Sequence, residues 1–166
     1  MSQDFYLGNP NLKKVGTEIQ FTKDQIQEYL RCKEDPVYFA MNYIKIISLD
    51  EGIVPFKMWD FQQELIESFH ENRFNIAKLP RQTGKSTTCV SYLLHYILFN
   101  DNVNVGILAN KLSTARDLLG RLQLAYEQLP LWLQQGIVVY NKGSMELENG
   151  SKILAASTSA SAVRGM

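Results

Sequence analysis

The sequence predicts an α/β fold with a mainly parallel sheet flanked by helices, on three observations. "FNIAKL" (74–79) reads as a strand, and "KSTTCVSYLLHYILF" (85–99) carries apolar residues at helical spacing with no Pro or Gly. The turn "NDN" (100–102) then leads into "VNVGILA" (103–109), a second strand whose apolar density suits burial on both faces. Strand, helix and strand in that order make a βαβ unit.

Residues 1–21 are polar, hold Gly8, Pro10 and Gly16, and show no sustained period, so they read as a loose arm. A helical N-terminal region, 22–58, follows. The capping-box pattern Thr22-x-x-Gln25 starts a helix that runs to about Lys33. Asp35-Pro36 starts the next, with Asp as N-cap and Pro at the first helical position, and with Val37, Met41 and Ile44 on one face. A looser stretch through Gly52 and Pro55 leads to a third helix over 60–72, where Phe61, Leu65 and Phe69 repeat every four residues. Beyond the βαβ unit a helix is expected over 113–128, with Leu118, Leu122 and Tyr126 on one stripe. "GIVVYN" (136–141) and the pair "SMELE" and "SKILAAS" around Asn149-Gly150 are further strand material. The register of that hairpin is left open by the pattern. No repeat or low-complexity segment is present.

The 166 residues suffice for one domain with a core, and 45% hydrophobic with 20% charged residues is ordinary for a globular chain. The formal charge is zero, from 17 basic and 17 acidic residues, so any nucleic-acid contact must be local. Cys32 and Cys89 form no C-x-x-C pair and read as reduced, buried thiols rather than zinc ligands or a disulfide framework. The N-terminus has no basic and apolar leader pattern, and "YLLHYILF" (92–99) is too short to cross a bilayer, so a cytosolic protein without a membrane is expected. Asn149-Gly150 is then a hairpin turn rather than part of a glycosylation site.

Between the first strand and its helix lies "LPRQTGKST" (79–87). A phosphate-binding loop is usually G-x-x-x-x-G-K-[ST] between a strand and a helix, because successive backbone N–H groups must curl around a phosphate. Gly84, Lys85 and Ser86 fill its last three positions, and Leu79 stands where the first glycine would be. On this reading Gly84 lets the backbone approach the phosphates, Lys85 meets the β and γ oxygens, and the Ser86 hydroxyl takes a place on Mg²⁺. The plainer alternative is a helix that starts after a turn.

"DFQQELI" (60–66), "LPRQTGKST" (79–87), "VGILANK" (105–111), "GIVVYNKGSMELENGSKILAAS" (136–157) and "AVRG" (162–165) together resemble the N-terminal ATPase region of the large terminase subunit of tailed bacteriophages. The likeness is to the contractile-tailed branch and covers about residues 35–166. It implies a P-loop NTPase fold, truncated at its C-terminal side, with 59–166 a partial ATPase domain. In that family the loop is roughly [S/A]-R-Q-x-G-K-[ST], which Arg81, Gln82, Thr83, Gly84, Lys85 and Ser86 fit; Pro80 replaces a small residue. The resemblance implies that Arg81 and Lys85 are the catalytic groups. It implies that Gln62, Arg81, Gln82, Thr83, Gly84, Lys85, Ser86 and Thr87 hold ATP, and that Ser86 takes the Mg²⁺. Gln62, 23 residues before Lys85, stands where the family places a glutamine that contacts adenine, which suits an amide that donates and accepts at once. The implied partners are double-stranded DNA, the portal protein and the small terminase subunit. A homo-oligomeric ring on the portal is implied too, in host-cell cytoplasm and transiently at the procapsid.

The family's Mg²⁺-ordering Asp, its water-activating Glu and its nuclease domain are expected downstream of Met166, which makes the chain as given an incomplete and poorly active ATPase. Asp50-Glu51, at the end of "IISLDEG", is an alternative acid pair, although Lys45 and Ser48 interrupt its apolar run. Asp101 is not, since fifteen residues of helix place it about 22 Å from Ser86. His70 and His95 lack partner spacing and read as structural. Asn110 and Lys111 end the second strand on the ligand-binding edge. Two rival functions remain at this point: a superfamily-two helicase-like ATPase, and a non-enzymatic truncated nucleotide-binding fragment.

Overall fold

The computed structural model describes residues 4–48 and 51–158; these contain five α-helices and six strands. Local capping signals set the first two helices. In α1 (Lys23–Glu34) the Thr22 hydroxyl accepts from Gln25 N at 3.2 Å while Thr22 N donates back to Gln25 Oε1 at 3.0 Å. Asp35 Oδ1 accepts from Tyr38 N at 2.8 Å at the head of α2 (Pro36–Tyr43). Helix α2 buries Pro36, Phe39 and Ala40; of the expected Val37, Met41 and Ile44, Ile44 is buried at the C-cap, Val37 is half-buried and Met41 is exposed. Likewise α3 (Asp60–Glu71) buries Gln62 and Ile66, one position round from the expected Phe61–Leu65–Phe69 stripe. In both, the partner surface decides which of two adjacent apolar rows goes inward.

Helix α4 (Lys85–Phe99) lies where expected and buries Val90, Leu94, Ile97 and Leu98. Helix α5 (Leu112–Glu127) buries Ala115, Leu119, Leu122 and Tyr126. It packs across β3 (Asn104–Ala109) and β6 (Lys152–Ser157), α4 packs on α5, and α2 and α3 pack on α4. One continuous core runs from Leu12 through Phe39, Ile66, Leu94 and Leu122 to Ile153.

The main sheet has the order β3-β6-β5-β4, with β4 at Ile137–Tyr140 and β5 at Ser144–Leu147. Only β3 and β6 run parallel, Asn104 opposite Lys152 through Ala109 opposite Ser157; the other two pairs are antiparallel. The sheet is therefore mixed, not mainly parallel. The open hairpin register resolves as Met145 opposite Ile153 with the turn at Asn149-Gly150, where Gly150 has φ 79°. The Asn149 amide also caps α4, donating to Ile97 O at 2.9 Å and Asn100 O at 3.1 Å.

Three expectations need correction. Residues 74–79 form no strand: they join no ladder among the described residues, and Phe74 and Ile76 are 82% and 101% exposed. The βαβ unit is therefore not formed around α4. Strand β3 is an edge strand with only Ile107 fully buried and Leu108 exposed, because nothing among the described residues pairs with its outer side. The stretch 22–58 is not wholly helical, since β1 (Lys45–Ser48) and β2 (Gly52–Pro55) make an antiparallel hairpin.

The arm read as loose is in fact docked over residues 4–16. Leu12 is buried, Ile137 N donates to Lys13 O at 2.8 Å, and Lys13 Nζ meets Glu148 at 3.3 Å. Burial alone pushes the Glu148 carboxyl up. The N–H groups of Gly136 (2.7 Å) and Gly16 (3.1 Å) and the Lys13 ammonium outweigh it and hold the carboxyl below its ordinary value.

Candidate nucleotide-binding site

Helix α4 begins in an unusual way. Its N-cap, Gly84, sits in the left-handed region at φ 74° and offers no side chain to the first turn, which also contains no acid. The N-terminal N–H groups and the positive end of a 15-residue helix dipole are thus uncompensated by side chains. A Cβ on Gly84 would lie 2.5 Å from Gln62 Nε2, so both the backbone angle and the close neighbour require glycine. Gln82 also has positive φ, 62°, which bends the loop sharply just ahead of Thr83.

Lys85 is the first residue of α4. Its ammonium turns back on the loop, donating to Leu79 O at 3.1 Å and to Pro80 O, while Thr83 Oγ1 donates to the same Pro80 carbonyl at 3.0 Å. The loop is therefore closed on its own lysine, with a cation held between its two ends. Arg81 and Ser86 are exposed, and Thr87 is half-buried on the next turn. Below them Thr88 is buried, its hydroxyl donating to Gly84 O at 3.2 Å.

Gln62 is 4% exposed, and each end of its amide is engaged. Oε1 accepts from Trp59 N at 3.0 Å and Nε2 donates to Thr83 O at 3.1 Å. One acceptor site and one donor remain on the amide. Gln62 is thus brought to the loop, and its observed hydrogen bonds tie the head of α3 to Thr83.

A cleft of about 470 Å³ opens beside the loop, walled by Phe56, Trp59, Gln62, Thr83, Gly84 and Thr87. This lies within the usual range for small-molecule sites. Trp59 is 71% exposed, and neither it nor Phe56 was singled out from the sequence. The available signal was Trp59-x-x-Gln62, a capping-box spacing whose first residue is an aromatic instead of Ser or Thr.

The other candidates are not drawn to this place. Asp101 follows the far end of α4. Asp50, and the segment "AVRG", lie outside the described residues; Glu51 is exposed in the turn of the β1–β2 hairpin. Asn110 and Lys111 are exposed between β3 and α5. His95 Nε2 donates to Cys32 O at 2.9 Å, while Nδ1 is buried without a hydrogen-bond partner among the described residues. Burial outweighs that hydrogen bond, and His70 nearby adds to it, so the imidazole is pushed down to about 4 and stays neutral. Cys32 is buried and its thiol pushed up to about 12; Cys89 is half-buried and also raised by burial, and both are free. Neither has the character of a reactive thiolate.

No protein-family model matches the chain. Among the described residues no helix is long and apolar enough to cross a membrane, and no cluster of three or more His, Cys, Asp or Glu is placed to hold a metal. A Mg²⁺ at this site would take the Ser86 hydroxyl as its ligand among the described residues. That fits an ion which keeps most of its waters and arrives on phosphate oxygens.

Proposed function

We propose that this chain is the ATPase region of a viral DNA-packaging motor, a large terminase subunit on a P-loop NTPase fold. It would bind and hydrolyse ATP to drive double-stranded DNA into a procapsid. The observation that carries the reading is Lys85 at the head of α4, directly after a left-handed Gly84 that leaves the helix N-terminus free for an anion. The sequence resemblance supplies the rest, and the 470 Å³ cleft against the loop offers room for the remainder of a nucleotide.

In this reading an arriving polyphosphate takes the Lys85 ammonium from the carbonyls of Leu79 and Pro80, exchanging two neutral acceptors for charged ones. Arg81, exposed on the same loop, adds a planar guanidinium able to grip two phosphate oxygens. The Ser86 hydroxyl would hold a Mg²⁺, which would supply positive charge to the phosphates. Turnover then depends chiefly on positioning and charge stabilisation. Gln82, Thr83 and Thr87 shape the loop and its floor, and Gln62 anchors it. Double-stranded DNA, the portal protein and the small terminase subunit are the proposed partners, in a ring on the procapsid portal in host cytoplasm.

One observation favours a second reading, nucleotide binding without turnover. Residues 74–79, which should brace the loop from within the sheet, stand outside it. Steady-state phosphate release by residues 1–166, alone and as Asp50→Asn and Glu51→Gln, separates the two. Robust release abolished by both substitutions makes Asp50-Glu51 the acid pair of a working ATPase. Background release that neither changes, together with ATP binding that Lys85→Ala removes, leaves a nucleotide-binding region without its acid pair, which is also what the resemblance implies for residues 1–166. ATP affinity unchanged in Lys85→Ala rejects both.

A further inference from the structure

The glutamine three residues into α3 was expected to read the base; its hydrogen bonds give it other work. We propose that the base of a bound nucleotide is held by stacking on the Trp59 indole, and that Gln62 is a positioning residue which fixes Trp59 relative to the phosphate loop. The proposal rests on the nucleotide reading of this loop and deepens it.

Three observations converge. First, Trp59 is 71% exposed although it borders a cleft, which leaves the large π-face of an indole available to a planar ligand. Second, the cleft is continuous with the loop, since Thr83, Gly84 and Thr87 line it together with Phe56 and Trp59. A ligand with its phosphates at the head of α4 therefore carries its base toward these rings. Third, the Gln62 amide is bonded to Trp59 N at 3.0 Å and Thr83 O at 3.1 Å, and is itself buried. An adenine-reading glutamine would need to present its donor and acceptor together to the base edge. Here one of each is already committed to backbone, and the remaining donor and acceptor belong to a side chain that is only 4% exposed.

The chemical consequence concerns selectivity. Every base has a π-face, so stacking is tolerant of base identity. The site should accept purine nucleotides of both kinds, with adenine and guanine differing little. Loss of Gln62 should disturb the loop and the platform together and so weaken all ligands alike, triphosphate included.

The test is a titration of residues 1–166 with ATP, GTP and inorganic tripolyphosphate, which has the phosphates but no base. Affinity is read by calorimetry. Trp59→Ala should weaken ATP and GTP by ~5- to 150-fold, the span of measured base–aromatic stacking, and leave tripolyphosphate within about twofold. Trp59→Phe, which keeps a ring, should recover most of the loss. Gln62→Ala should lower the affinity for all three ligands by a common factor, and the Trp59 fluorescence change expected with tripolyphosphate, read in a Trp132→Phe background, should disappear. A purely structural glutamine would leave that optical response intact in whatever fraction still binds. The proposal is overturned if Trp59→Ala binds ATP as tightly as the parent, if it loses tripolyphosphate as strongly as ATP, or if Gln62→Ala weakens ATP alone. Failure of the nucleotide reading itself looks different: tripolyphosphate and ATP then bind neither the parent nor any variant, or Lys85→Ala binds them unchanged.

Discussion

Helix α4 and the segment just before it, 72–84, adjoin at the candidate site and are built in opposite ways. From Val90 to Phe99 the helix is wedged among α2, α3 and α5, and Leu94 and Ile97 are entirely enclosed. Residues 74–79 carry the apolar residues Phe74, Ile76, Ala77 and Leu79 that suggested a strand, yet Phe74 and Ile76 lie open to solvent. A helix satisfies its backbone within itself and needs a neighbour only for its apolar stripe. A strand satisfies its backbone only through another strand. The loop 79–84 is therefore held from its helix side and by Gln62, and by no ladder among the described residues on the side of 74–79.

Truncations in the two segments should give the greatest contrast. Leu94→Ala or Leu122→Ala should cost about 2–5 kcal/mol in urea unfolding, because each leaves a cavity in the enclosed layer. His95 tests the same layer through pH. Its folded-state value is depressed to about 4, so the unfolded chain binds the extra proton between roughly pH 6.5 and 4. Its contribution is thus fully present above pH 6.5 and is lost as pH falls toward 4, by about 3 kcal/mol in all. The urea midpoint followed across that window should fall in the parent and fall less in His95→Gln.

At the junction between the two segments, Gly84→Ala should cost roughly 1–3 kcal/mol, from a positive φ and a Cβ driven into Gln62. The same variant should also bind tripolyphosphate more weakly. Smallest of all, Ile76→Ser should change stability by no more than about 0.5 kcal/mol, as for any exposed position. A loss of several kcal/mol there would show that 74–79 is packed in solution and would remove the contrast.

The same division explains what could be read in advance. Helices α1 and α2 were legible because Thr22 with Gln25, and Asp35 with Pro36, are local signals that act within one turn. The Asn149-Gly150 turn was legible for the same reason. The docking of Leu12 and Lys13 against Gln134 and Glu148 was not, because its partners lie more than a hundred residues away. The strand at 74–79 failed on the missing ladder, not on its pattern. At the site, Gly84, Lys85 and Ser86 were found by spacing. The bonds of Gln62 were not, since an amide's partners depend on what the fold places beside it, and Trp59 is not a residue type that announces a cap.

The central claim is that the head of α4 receives phosphate, and backbone amide resonances of this 19.0 kDa chain test it most directly. Adding Mg²⁺ and ATP should shift the amides of Gly84, Lys85, Ser86 and Thr87 more than any others outside the adjoining cleft, and Lys85→Ala should abolish those shifts. Shifts confined to other parts of the chain, or an α4 N-terminus that does not respond at saturating ATP, would contradict the account.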